Sequence, residues 1–440
     1  MKRLFFFICM MFTVINIMAH QPIFVDGRVW TFLMYGESPY PDSENDTWSD
    51  TIRYNIIGDT IVDNQIYKIL YSSNAAKNRL IRECVEEQKI WEYHEYFKKE
   101  ELIMDFNLNV GDELESMYSI CENISYIKDK SGNFLKQMSF DDNHIVWIEK
   151  YGCRTAILDG GSLELLYVTD GNDTLIDFTK KLEYYNPIVI DGYSWNVVNI
   201  GDGGNPKQTI YRTNTEVIKG DTIINGVTYK KFWVADDCNL EKVNLLALIR
   251  EDIEEQKVYA YNKGAEVLLY DFNVEIGDTI KVWNWLYQLK YIDSTNIQDY
   301  EYCFSLLVVD NIDYMEDETY KSLKKITYHK ANQEHRETTI YERYGDLSGW
   351  ATSDHAEIDG RGPGIMICAF DATGELQFKP TYNNELDKIE NCYINETKTD
   401  IENVTISNPS SKKIIHNGQL YIIHEGKTYN AMGIKVKNIY

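Results

Sequence analysis

Short apolar runs and period-two alternation, broken every few residues by Gly, Asn or Asp, continue through most of the chain. The clearest blocks are Lys257-Val258-Tyr259-Ala260-Tyr261 and Leu268-Leu269-Tyr270-Asp271-Phe272. Such runs, bounded by polar turns, predict β-strands. Between these blocks, Asn262-Lys263-Gly264-Ala265-Glu266 predicts a hairpin loop. Asn225-Gly226 predicts another, because both residues tolerate positive φ. Glu83 to Lys99 is the best helical candidate. Its later counterpart, Glu251 to Tyr261, reads as a loop and a strand, so both are assigned to β.

The pattern occurs twice. Residues from about Phe24 to Phe178 recur in the same order from about Pro187 to Phe378. Val25-Asp26-Gly27 before Trp30 returns as Ile190-Asp191-Gly192 before Trp195, and Leu80-Ile81-Arg82-Glu83 as Leu248-Ile249-Arg250-Glu251. Glu86-Glu87-Gln88-Lys89 returns unchanged as Glu254-Glu255-Gln256-Lys257. Two Gly-Asp elements recur, Gly58-Asp59 with Gly220-Asp221 and Gly111-Asp112 with Gly277-Asp278. In each, Gly is expected to supply an unusual backbone conformation and Asp to cap a turn. The fold class that follows is all-β: two tandem antiparallel meander modules, each a barrel or a sandwich, spanning residues 20–182 and 183–379. Residues 380–404 read as a polar linker, and 405–440 as a small β tail of short strands separated by Gly-containing turns.

Composition says where the chain goes. There are 33 Tyr and 16 Phe, residues that suit a pleated surface. Lys2 and Arg3 precede an apolar stretch from Leu4 to Val14, and Ala19 is a plausible cleavage point, so residues 1–19 read as a signal peptide. No later segment is long and apolar enough for a transmembrane helix. The net charge of -25 disfavours nucleic acid and anionic membranes, which require clustered Lys and Arg. Loss of Cys9 with the signal leaves an odd number of cysteines, hence at least one free thiol or an intermolecular bond. No Cys-x-x-Cys spacing exists, which excludes a zinc ribbon. Cys121 and Cys303 are expected to occupy matching places as small buried residues.

The tail carries Asn417-Gly418-Gln419-Leu420-Tyr421-Ile422 and Gly426-Lys427-Thr428-Tyr429-Asn430-Ala431-Met432-Gly433, ending in Val436-Lys437. It resembles the C-terminal sorting region of type IX secretion cargo from Bacteroidetes. The body is similar to modules found upstream of such tails, through Trp147-Ile148-Glu149-Lys150-Tyr151-Gly152, Ile340-Tyr341-Glu342-Arg343-Tyr344-Gly345 and Cys368-Ala369-Phe370-Asp371. The resemblance implies export across two membranes and release or attachment at the cell surface, with the secretion machinery as a partner of the tail. It implies no reaction.

Candidate chemistry is sparse. Asp354 to Gly364 gathers His355, Glu357 and Asp359 beside a Gly-Pro-Gly turn, with His329 and His335 upstream. A set of His and carboxylate groups can bind zinc or manganese, and the first module offers no matching cluster. The acidic loop Asp42 to Asp50 has the oxygen ligands calcium prefers but lacks an EF-hand pattern. Glu149 and Glu342 are the acids nominated for a glycosidase pair. The neighbours Arg82-Glu83 and Arg250-Glu251 point to opposite faces of a strand, so a buried ion pair with another strand is expected rather than catalysis. No nucleophile elbow, metalloprotease helix or phosphate loop is present, and no catalytic residue or cofactor is assigned. The expected function is non-catalytic binding of a glycan, peptide or surface partner, duplication raising avidity. The alternative is a secreted hydrolase with its metal or carboxylate site in the second module.

Overall fold

In the computed structural model of the chain the described residues are 21–37, 47–74, 77–114, 116, 118–141, 143–158, 161–201, 208–235, 240, 243–283, 289, 294–295, 297–315, 323–331, 333–347, 361–382, 385–399, 412–416, 419–424, 427–430 and 435–436. Antiparallel strands dominate, and the chain is all-β as the alternation predicts. Two compact units are formed. One holds residues 1–202 and 210–396, the other residues 203–209 and 397–440. Both sequence repeats lie in the first unit, except residues 203–209 of the second.

The first module is one continuous sheet, extended at one edge by Tyr184–Tyr185 of the segment that enters the second module. Its path runs Tyr184–Tyr185, Ser119–Lys128, Phe134–Phe140, Ile145–Ile148, Gly152–Leu158, Gly161–Asp170, Arg28–Glu37, Thr47–Val62, Gln65–Ser72, Arg79–Cys84, Lys89–His94 and Lys99–Asp105. The second module repeats this order in two sheets. One runs Ala265–Asp271, Lys257–Asn262, Val243–Asp252, Val227–Ala235, Gln208–Ile224, Ser194–Gly201, Arg361–Phe370 and Leu376–Phe378; the other runs Thr279–Trp283, Phe304–Met315, Leu323–Lys330, Gln333–Tyr341 and Gly345–Asp346. Residues 348–360, where the first module's strands join, lie outside the described residues in the second.

Local chemistry accounts for the shared frame. Asp63 and Asn64 (φ 48° and 66°), Asn225 and Gly226 (51° and 82°), and Lys263 and Gly264 (47° and 83°) all form two-residue hairpin turns with both central φ values positive. Such turns match the right-handed twist of the flanking strands. The identical Glu-Glu-Gln-Lys segments turn at left-handed Gln88 and Gln256, whose carbonyls accept from Phe106 N (3.0 Å) and Phe272 N (2.9 Å). Asp112 and Asp278 cap their turns, accepting from Asn109 N at 2.8 Å and Glu275 N at 2.9 Å.

The other Gly-Asp element behaves differently from its expectation. Gly58-Asp59 and Gly220-Asp221 sit at bulges inside long strands, where the register shifts between Ile56 and Asp59 and between Ile218 and Asp221. Their carboxylates cap no turn and instead pair with Lys68 and Lys230 across the hairpin. At Gly192 (φ 88°) a Cβ would lie 2.6 Å from that of Ala372, so only glycine fits.

Trp147 is buried between Phe106 (ring centroids 6.1 Å apart) and Phe140 (4.4 Å) in the first module. Tyr344 stacks on Phe378 at 4.4 Å in the second. Tyr185 lies 6.1 Å from both Phe134 and Phe272 and joins the two cores. The first part of the segment read as a linker is bound to the sheet. Cys392 forms a disulfide with Cys368, Tyr382 Oη donates to Met366 O at 2.6 Å, and Thr213 and Ile394 exchange backbone and hydroxyl hydrogen bonds. The second unit contains a four-stranded antiparallel sheet of Lys412–His416, Gln419–His424, Lys427–Asn430 and Lys435–Val436.

Cys121 and Cys303 do not match. Gly111 N donates to Cys121 O at 2.7 Å, and Gly277 N donates to Val309 O at 2.9 Å, so Val309 stands where Cys121 stands. Both cysteines are buried free thiols, but Cys303 ends a short 3₁₀ segment, Ile297–Cys303.

Candidate functional site

Charged side chains repeat with the strands. Arg82 crosses the ring of Trp91 (4.1 Å) to a two-pronged contact with Glu100 at 2.6 and 2.8 Å. Arg250 crosses Tyr259 (4.3 Å) to Glu266 at 2.7 and 2.9 Å. Tyr67 and Tyr229 donate their hydroxyls to the same carboxylates. The arginines do pair with other strands as expected, but the pairs are partly exposed and not buried. The adjacent acids point the other way. Glu83 accepts from Ile23 N and Phe24 N, and Glu251 from Ile188 N and Val189 N, so each ties the entry segment of its own module.

The two nominated acids are structural in the same sense. Glu149 Oε2 accepts from Lys136 N at 3.2 Å, and Glu342 Oε2 from Lys324 N at 3.4 Å, so each bonds within its own module. Glu342 also accepts from Asn186 Nδ2 at 3.3 Å, and burial pushes its carboxyl up to about 7.

The modules meet at a seam. Arg343, fully buried, donates from the second module to Ile124 O (2.9 Å) and Asn123 Oδ1 (2.6 Å) of the first, and to Tyr193 Oη. Beside it lies a cavity of about 270 Å³, lined from one side by Val110, Tyr126 and Lys136 and from the other by Lys230, Arg250 and Glu251. Its Lys136 and Glu251 are committed. Lys136 Nζ donates to Phe106 O (2.7 Å) and Leu108 O (3.1 Å), and burial lowers its pKa. Glu251, raised by burial, accepts from Tyr185 Oη at 2.6 Å. The cavity is a joint between modules with two buried ionisable groups already satisfied.

A second feature departs from the repeat. In the second module the hairpin between Lys257–Asn262 and Ala265–Asp271 closes with Lys263-Gly264. The first module has Glu95-Tyr96-Phe97-Lys98 there, and Tyr96 is 90% and Phe97 66% exposed. Their rings meet edge to face at 5.0 Å, with His94 6.4 Å from Phe97. The two large rings lie side by side at the hairpin tip and form a small exposed apolar patch that the second module lacks. The sequence signal is the Tyr-Phe insertion itself, visible when the two hairpins are aligned.

His355, Glu357 and Asp359 lie outside the described residues, as do Asp42 to Asp46 and the side chain of His335. His329 pairs with Asp310 at 2.6 Å. Among the described residues no group of three His, Cys, Asp or Glu side chains comes together as a metal site, and no helix is long and apolar enough to cross a membrane. Comparison with protein-family models, curated proteins and solved structures finds no match.

Proposed function

We propose that the chain is an exported binding protein that carries a glycan, peptide or surface partner on its β modules without transforming it. The observation that carries the reading is the exposed Tyr96–Phe97 pair on a hairpin that the other module closes with a plain turn. A rigid aromatic tip offers contact area at little cost in side-chain entropy. Lys136 and Glu251 in the seam cavity are each bonded within their own module, which leaves the tip as the better candidate for contact with a ligand.

Export is supported by the Cys368–Cys392 disulfide, since such bonds persist in oxidising compartments. The small four-stranded tail sheet fits a sorting element recognised by a secretion machinery, and the signal-like N-terminus fits entry to that route.

The test is a screen of the chain beginning at residue 20 against arrays of glycans and of surface polypeptides, run beside Tyr96→Ala and Phe97→Ala. A ligand retained by the parent and lost by both variants supports the reading. Ligands bound equally by all three proteins would remove the tip from it.

A further inference from the structure

The seam inside the chain has uncovered counterparts on both modules. The first module contributes to it Val110, on the capped Gly-Asp turn, and Asn123-Ile124-Ser125-Tyr126, on the strand Ser119–Lys128. Turn hydrogen bonds fix the matching positions in the second module. Gly111 N to Cys121 O corresponds to Gly277 N to Val309 O, and Cys121 N to Asp112 O corresponds to Val309 N to Asp278 O. Val110 therefore matches Ile276, and Asn123-Ile124-Ser125-Tyr126 matches Asn311-Ile312-Asp313-Tyr314. Val110 is 5% exposed in the seam, whereas Ile276 is 64% and Tyr314 62% exposed. Of the matched apolar side chains, the second module displays Ile276 and Tyr314 to solvent and keeps Ile312 half-buried.

Backbone pairing shows the same difference. Tyr126 and Ile127 pair with Tyr184–Tyr185 of the entry segment. In the matched stretch, Asn311 to Met315 pair with the strand Leu323–Lys330 on one side, and among the described residues no strand covers the other. An uncovered strand edge accepts further chain.

The opposite surface is open on the first module. The second module meets the seam with Pro187, Val189, Thr228, Lys230 and Ile253. Their counterparts are Pro22, Phe24, Ile66, Lys68 and Val85. Pro22 is exposed, Ile66 is 63% exposed and Val85 is exposed, around a half-buried Phe24.

We propose that the chain associates head to tail with a second copy of itself, the second module's Ile276–Tyr314 surface receiving the first module's Phe24–Ile66–Val85 surface as module one receives module two within the chain. The contact is heterologous, because the two surfaces differ, so it propagates into linear arrays instead of stopping at a dimer. It is weaker than the internal seam. Lys150 stands where Arg343 stands, and it is already paired with Asp129 at 3.1 Å, so the guanidinium bridge is missing. The net charge of -25 also opposes association, and moderate salt is needed to screen it.

The experiment is sedimentation velocity on the chain beginning at residue 20, from micromolar to submillimolar concentration in moderate salt. A ladder of species growing with concentration is expected. Ile276→Asp with Tyr314→Asp removes one surface, and Ile66→Asp with Val85→Asp removes the other. Each variant should self-associate at least about tenfold more weakly with an unchanged melting temperature. Mixed in equal amounts, the two variants should form a one-to-one dimer and nothing larger, since each keeps the surface the other lacks. A parent that stays monomeric throughout overturns the proposal. So does a parent that stops at a dimer, or a variant mixture that remains monomeric.

Discussion

The two modules keep a buried guanidinium beside the same turn but supply it from opposite sides. In the first module it belongs to Arg28, which donates to Pro22 O, Ile23 O and Lys150 O. In the second, Tyr193 occupies the place of Arg28, and Arg343 occupies the place of Lys150. Moving the cation across the turn redirects it. Arg28 ties up its own entry segment, whereas Arg343 reaches Asn123 and Ile124 of the neighbouring module. Two substitutions at matched positions thus turn an internal brace into a link between modules. A planar cation with several fixed donors suits the second task better than a lysine would.

The strongest way to break this comparison is Arg343→Ala. It leaves Asn123 and the Ile124 carbonyl without their buried donor, and a loss of about 4 kcal/mol is expected. The single denaturation transition should split in two as the modules uncouple, which calorimetry reads directly. The module-specific disulfide comes next. Cys368→Ser with Cys392→Ser opens a link across a sequence separation of 24 and should cost about 3 kcal/mol. Hydrogen exchange should rise in residues 380–394 and in the strand Arg361–Phe370, and stay unchanged in the first module.

A third test uses pH. The Glu342 carboxyl is raised from 4.5 to about 7 by burial, so the folded state holds its proton more tightly than the unfolded chain. Its contribution is complete below about pH 4.5 and is lost as pH rises through about 7. The parent should lose on the order of 2–3 kcal/mol across that window, and Glu342→Gln should flatten this part of the urea-denaturation profile. The smallest effect sharpens the opening contrast. Lys150→Met removes the pair with Asp129 and touches no other module, so a loss of about 1 kcal/mol with one unbroken transition is expected.

Much of the frame was legible because short-range chemistry sets it. Asn225-Gly226 forms the predicted turn, Asp112 and Asp278 cap as expected, and Arg82 and Arg250 find partners on other strands. The seam was not legible. Glu-Arg-Tyr-Gly and Glu-Lys-Tyr-Gly look interchangeable as motifs, and only the packed neighbour gives Arg343 its role. Residue identity also misled at Cys121 and Cys303, where the true register follows the Gly-Asp turns. The Cys368–Cys392 pairing joins positions whose nearness depends on the strand between them, which spacing does not encode. The aromatic tip was present in the sequence but stands out only once the two hairpins are superposed by their pairing.

The disulfide has a mechanical consequence. Cys392 lies just before the chain leaves the two-module unit, and its partner Cys368 sits within the strand Arg361–Phe370, between Ser194–Gly201 and Leu376–Phe378. A pull applied through the C-terminal segment therefore enters the protein covalently at Cys368. Residues 369–391 are bypassed by the load, and the tension is passed to the ladder between Arg361–Phe370 and Ser194–Gly201. Once the bond is reduced, the same pull has only the hydrogen bonds of Ile394 to Thr213 and of Cys392 to Asn196 to break before it peels residues 380–391 away, so thiol chemistry sets how far the molecule yields.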